Sequence, residues 1–201
     1  MATPSAPPEE VENVVRSPEL PFVSAIVGGI FAGRSITISG MVLPNFASND
    51  KRFEIDLCCG LLINGDHMDN KALHFNPRFL QKTGWFMNCS GSDDNALVLN
   101  SYISGSWGTE ERFVNPFAEG KPFTLRIMAF DTYFKISANG MHVCDYAYRV
   151  PIESIKTISV KGNIRVDSVE FQPPISVSAD GIPSLGKPGP VPKQLSKIDK
   201  P

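Results

Sequence analysis

His74, Asn76 and Arg78 stand at alternate positions in the run Leu73-His74-Phe75-Asn76-Pro77-Arg78-Phe79. In an extended strand their polar side chains share one face, and Leu73, Phe75 and Phe79 occupy the other. Two further stretches extend the set, Leu97-Val98-Leu99-Asn100 and Ser106-Trp107-Gly108-Thr109-Glu110-Glu111-Arg112-Phe113. They add an amide, a flat indole, an acceptor carboxylate and a forked donor. No residue among them stands out as an activated nucleophile, so the chemistry is that of holding a ligand rather than transforming it.

A sugar suits such a set. Its hydroxyls both donate and accept, and one face of galactose is a patch of C–H groups that can lie on an indole ring. Hydrogen bonds donated by Arg or accepted by Glu are charge-assisted and stronger than neutral ones. The three stretches resemble the signature of the galectins, the β-galactoside-binding lectins: H-x-N-P-R, V-x-N and W-G-x-E-x-R. They appear here as His74-Phe75-Asn76-Pro77-Arg78, Val98-Leu99-Asn100 and Trp107-Gly108-Thr109-Glu110-Glu111-Arg112. The seven-residue step from Asn100 to Trp107 fits as well. A match of this extent is far more specific than any one short motif.

The resemblance implies a role for each position. His74, Asn76 and Arg78 would bond the axial 4-hydroxyl of galactose, and Asn100 and Glu110 the 6-hydroxyl, with Trp107 stacked on the apolar face. Arg112 and Glu110 would reach the next sugar, glucose or N-acetylglucosamine. Buried polar groups left unpaired by the wrong epimer would supply the discrimination. The implied partners are β-galactoside glycans on glycoproteins or glycolipids. No cofactor is expected, and no metal, since Glu110 is the single contacting carboxylate and oxygen cages for calcium need several.

The elements that must position these residues are strands. Ile36, Ile38 and Val42 alternate against Ser35, Thr37 and Ser39; Phe53, Ile55 and Leu57 alternate in Arg52-Phe53-Glu54-Ile55-Asp56-Leu57. Asn139-Gly140 is a strong hairpin signal. With ten or more short strands and no helical stripe, the chain reads as all-β, a two-sheet antiparallel β-sandwich, which the resemblance makes a jelly-roll. Exposed sheet edges offer a route to homodimers.

At 201 residues and 42% hydrophobic content the chain suits one well-buried domain. The expected division is an acidic proline-rich arm over 1–20, a galectin-type domain over 21–172 and a tail or linker rich in Pro, Gly and Lys over 173–201. As a linker, the tail would lead to a second lectin domain and crosslinking by two tethered sites. A net charge of −2 gives no electrostatic case for nucleic acid or an anionic membrane, and no run is long enough to insert in one. The N-terminus lacks the apolar core of a secretory signal, so a cytosolic protein is expected. Cys58, Cys59, Cys89 and Cys144 show no metal-ligand spacing and read as free thiols, in keeping with the galectin habit of reduced cysteines and non-classical secretion.

Two alternatives compete with sugar binding. Glu54-Ile55-Asp56-Leu57 resembles the opening of the E-x-D-x-E signature of sandwich-fold glycoside hydrolases, but Cys58 stands where the closing Glu belongs. The expectation is a strand with two solvent-facing acids. The other alternative is a galectin-like domain turned to a protein partner, whose mark would be a lost ligand residue; none is lost. The main departure from the family pattern is the long segment over 79–99, which contains Trp85 and the Asn88-Cys89-Ser90 sequon. It is expected to overhang the groove near the second sugar, with Trp85 packed down as an anchor. His67 and His142 are expected to be solvated or structural.

Overall fold

The computed structural model describes residues 9–10, 13–44, 51–65, 68–80, 95–173, 175–177 and 183–185. The segment around Trp85, the sequon at Asn88, Cys89 and His67 lie outside the described residues. In chain order the strands are β1 Glu9–Glu10, β2 Val14–Arg16, β3 Phe22–Ala25, β4 Ser35–Val42, β5 Phe53–Cys58 and β6 Lys71–Pro77. They continue with β7 Ala96–Ile103, β8 Ser106–Trp107, β9 Glu111–Val114, β10 Pro122–Ala129, β11 Tyr133–Ala138 and β12 Met141–Ala147. After a 3₁₀ turn at Ile152–Ser154 come β13 Thr157–Gly162, β14 Ile164–Gln172, β15 Ile175–Val177 and β16 Pro183–Leu185.

Two antiparallel sheets form the sandwich. One runs β12-β11-β10-β4-β14-β2, and the other runs β3-β13-β5-β6-β7-β8, with β9 also paired to β7. The alternation that defines the strands also defines the core: Ile36, Ile38, Leu125, Ile127 and Ile136 of the first sheet meet Phe53, Ile55, Leu57, Leu73, Phe75 and Leu99 of the second. Phe53 stacks on Phe123 across the sheets at 5.6 Å, and Phe117 sets its edge against both rings at 5.4 and 5.3 Å. Each buried Phe contributes about 2–3 kcal/mol through its area, with a smaller gain from ring geometry. The inward face of β6 is thus locked, which fixes its outward face as the floor of a groove.

Three features differ from expectation. Val14–Arg16 falls inside the stretch read as a flexible arm, yet it pairs with Ser168–Glu170 of β14, and Val15 packs on the core. Two adjacent valines are too short a signal to reveal periodicity; the open edge of β14 supplies the missing partner. Within the expected tail, β15 pairs with both β1 and β16 in a small three-stranded sheet. Asp56, expected to face solvent, is only 1% exposed. Its strand is central, and the neighbouring strand covers it with His74 and Lys71.

Candidate carbohydrate-binding groove

The groove has a volume of about 540 Å³ and lies across the outer face of the second sheet. Its lining includes Arg52, Glu54, His74, Arg78, Asn100, Trp107 and Glu110. Strand register accounts for this grouping: Asp56 on β5 stands opposite His74 on β6, and His74 opposite Asn100 on β7. One strand pair over, Val98 aligns with both Asn76 and Arg112. The three motif stretches are therefore neighbouring strands, and their outward side chains converge.

A tight hairpin delivers Trp107. Ser104 and Gly105 have φ of 51° and 83°, the left-handed pair that a two-residue turn demands and that glycine adopts without strain. The turn brings Trp107 opposite Tyr102, whose ring meets the indole edge-on at 5.3 Å. His74 lies 4.9 Å from the indole centroid, and the Lys71 ammonium 5.8 Å. Trp107 nevertheless remains 49% exposed, an unusual state for an indole held on several sides, and one that leaves apolar surface for a ligand.

The charged groups brace one another. Arg78 Nη2 donates to Glu110 Oε1 at 3.1 Å, and Arg112 Nη1 to Glu110 Oε2. Arg78 Nε donates to Asn76 Oδ1 at 2.7 Å, while Asn76 Nδ2 donates to the Phe53 carbonyl at 3.0 Å. Asn76 is wholly buried, so it acts here by orienting Arg78. Asn100 is also engaged: its Nδ2 donates to the Gly108 carbonyl at 2.9 Å, filling the break in the ladder between β8 and β9. Of the seven residues singled out by the sequence, five line the groove, Asn76 lies beneath it, and Arg112 is joined to it through Glu110.

Among the residues that sequence reasoning missed, three hold the site together. Asp56 was visible in principle, because Phe53, Ile55 and Leu57 face the core and their neighbours must face the groove strand. Lys71 was hidden by a bulge: Ala72 and Leu73 together oppose Ser101, so Lys71 emerges on the same face as His74. Arg149 carries no motif signal, yet its Nη1 donates to Asn100 Oδ1 at 3.1 Å and its Nη2 to Glu111 Oε1 at 2.8 Å. Its guanidinium also lies over the Tyr146 ring at 4.9 Å.

Electrostatics speak against acid–base catalysis. Burial works to raise the Asp56 pKa, but its contacts with His74 and Lys71 outweigh it and hold the carboxyl below its ordinary value. An acid so held does not donate protons. Glu54 is clamped between Lys161 at 2.9 Å and Arg52 at 3.7 Å. Glu54, Asp56 and His74 bring ligand atoms within 4.8 Å of one another, with Asp56 paired to Lys71 and Glu54 to Lys161.

The family model for galactoside-binding lectins matches residues 21–171. The chain belongs to the galectins. Galectin-6 of Mus musculus is 36% identical over 160 residues, covering 78% of this chain and 45% of its own length. Human galectin-7 is 33% identical over 153 residues, 76% of this chain and 97% of its own. The galectin LEC-6 of Caenorhabditis elegans superposes with a TM-score of 0.63 at 28% identity, over 80% of this chain and 96% of that one. This galectin chain spans about half the length of the galectin-6 and galectin-4 relatives it matches, 42–51%.

Proposed function

We propose that the groove binds β-galactosides such as lactose and N-acetyllactosamine without a metal. Galactose lies with its apolar face on Trp107, its axial 4-hydroxyl over His74 and Arg78, and its 6-hydroxyl toward Asn100 and Glu110. Arg112, anchored on Glu110, faces the second sugar. The observation that carries this reading is the exposed Trp107 set beside a polar network whose members hold one another in place. Preorganisation of this kind lowers the ordering cost of binding.

Pyranose connectivity extends the reading. With C6 toward Asn100 on β7, the 3-hydroxyl points the other way, toward Glu54, Arg52 and Lys161 on the β5–β13 side of the groove. Substituents on that oxygen would meet this charged clamp. A single shallow site gives modest affinity, and crosslinking of glycoproteins or glycolipids would come from pairing two sites, through a homodimer or a tethered second domain. The test is retention on immobilised lactose. The parent protein is retained and eluted by free lactose but not by sucrose, and Arg78→Ala flows through. Parent protein that flows through while folded overturns the reading.

A further inference from the structure

Directly behind His74 lies a buried charged pair that the galactose contacts do not require. Asp56 Oδ1 is 2.6 Å from His74 Nδ1, and Asp56 Oδ2 accepts from Lys71 Nζ at 2.7 Å. Asp56 is 1% exposed and Lys71 4%, against 8% for His74. By strict alternation from His74, position 71 would face the core; the bulge at Ala72 and Leu73 turns it back toward Asp56. Burying a lysine and an aspartate is costly unless each is fully partnered, and a broken ladder adds to the cost. Both expenses converge on the ring of one groove histidine.

We propose that Asp56, anchored by Lys71, is a positioning residue for galactose recognition: it holds the His74 Nδ1 proton in a hydrogen bond and so presents Nε2 to the groove as an acceptor. This inference rests on the galactoside reading of the groove. An ionised carboxylate only accepts, so Nδ1 must be the donor, and on a neutral ring the remaining nitrogen carries the lone pair. Lys71 balances the carboxylate, so the ring is not needed as its counter-charge.

The surrounding chemistry makes that acceptor matter. Arg78 offers only donors, and Asn76 Oδ1 is already engaged by Arg78 Nε. A galactose 4-hydroxyl accepts from the arginine and has one proton left to give, which His74 Nε2 takes. An equatorial hydroxyl points elsewhere and leaves Nε2 unpaired, so the tautomer itself contributes to selection of the axial epimer.

Two measurements test the proposal. The first is long-range proton–nitrogen NMR of the histidine rings in sugar-free protein at neutral pH. It is expected to show the His74 proton on Nδ1 and a bare Nε2; a proton on Nε2 alone overturns the proposal even if lactose binds. The second compares lactose with 4-deoxylactose for the parent and for Asp56→Asn, each checked for folding by thermal melting. The parent prefers lactose by about tenfold or more, the value of one charge-poised hydrogen bond, and Asp56→Asn is expected to lose most of that preference. A folded Asp56→Asn that keeps the parental ratio contradicts the proposal. Parent protein with the predicted tautomer but no lactose binding removes the galactoside reading and, with it, the recognition role.

Discussion

Arg149 Nη1 donates to Asn100 Oδ1 at 3.1 Å, joining the chain after β12 to β7 on the face that carries the groove. The same guanidinium reaches Glu111 at 2.8 Å, so one side chain ties the V-x-N strand to the W-G-x-E-x-R strand. Arg149→Met is expected to weaken lactose binding severalfold and to lower stability by about 1–2 kcal/mol, because two partners lose a charge-assisted donor. Denaturant unfolding and lactose titration of the same preparation check both effects.

A side chain at Gly108 would crowd the Arg149–Asn100 link. A Cβ there would lie 2.8 Å from Arg149 Nη1 and 3.2 Å from Asn100 Oδ1. Gly108→Ala should therefore disturb the same link and reduce lactose affinity. In combination with Arg149→Met its effect should be less than additive, since both act on one contact. A double-mutant cycle on lactose affinity measures this.

Arg112→Lys keeps the charge and loses the fork. A lysine ammonium is a point charge that cannot hold Glu110 and a sugar hydroxyl in one plane. The variant is expected to lose about 1 kcal/mol of binding free energy for lactose while melting at the parental temperature, since the pair is largely exposed. Side-by-side calorimetry and thermal melting decide.

The Asp56–Lys71–His74 cluster predicts a pH effect on stability. The folded Asp56 pKa is lowered, so its contribution is fully present above the ordinary unfolded value of about 3.9 and is lost as pH falls from there through the folded value. Asp56→Asn alone, which leaves Lys71 buried with a neutral partner, is expected to cost about 3 kcal/mol at neutral pH. Asp56→Asn with Lys71→Met should recover part of that loss and show a shallower fall of Tm on acidification than the parent. Melting curves across a pH series are the check.

The fold and most of the groove were legible in the sequence because each depends on local alternation. Leu73, Phe75 and Phe79 against His74, Asn76 and Arg78 placed β6 correctly, and the sandwich followed from its repeats. What stayed hidden depends on register and on distant pairing. The bulge beside His74 moves Lys71 across the strand, and no pattern along β6 announces it. Arg149 reaches Asn100 only because β12 leads the chain back to this side of the sandwich, a relationship that no spacing encodes. Val14–Arg16 shows the same limit from the other side: three residues gain their strand identity from the neighbour they complete.

The most direct measurement is calorimetric titration with lactose, with cellobiose as the glucose-disaccharide control, on the parent and on Trp107→Ala. The account predicts heat from lactose, none from cellobiose, and a loss of about 2 kcal/mol or more in Trp107→Ala, whose fold stays intact because the indole is half exposed. Equal binding of both disaccharides, or undiminished lactose affinity in Trp107→Ala, would contradict the assignment of the groove.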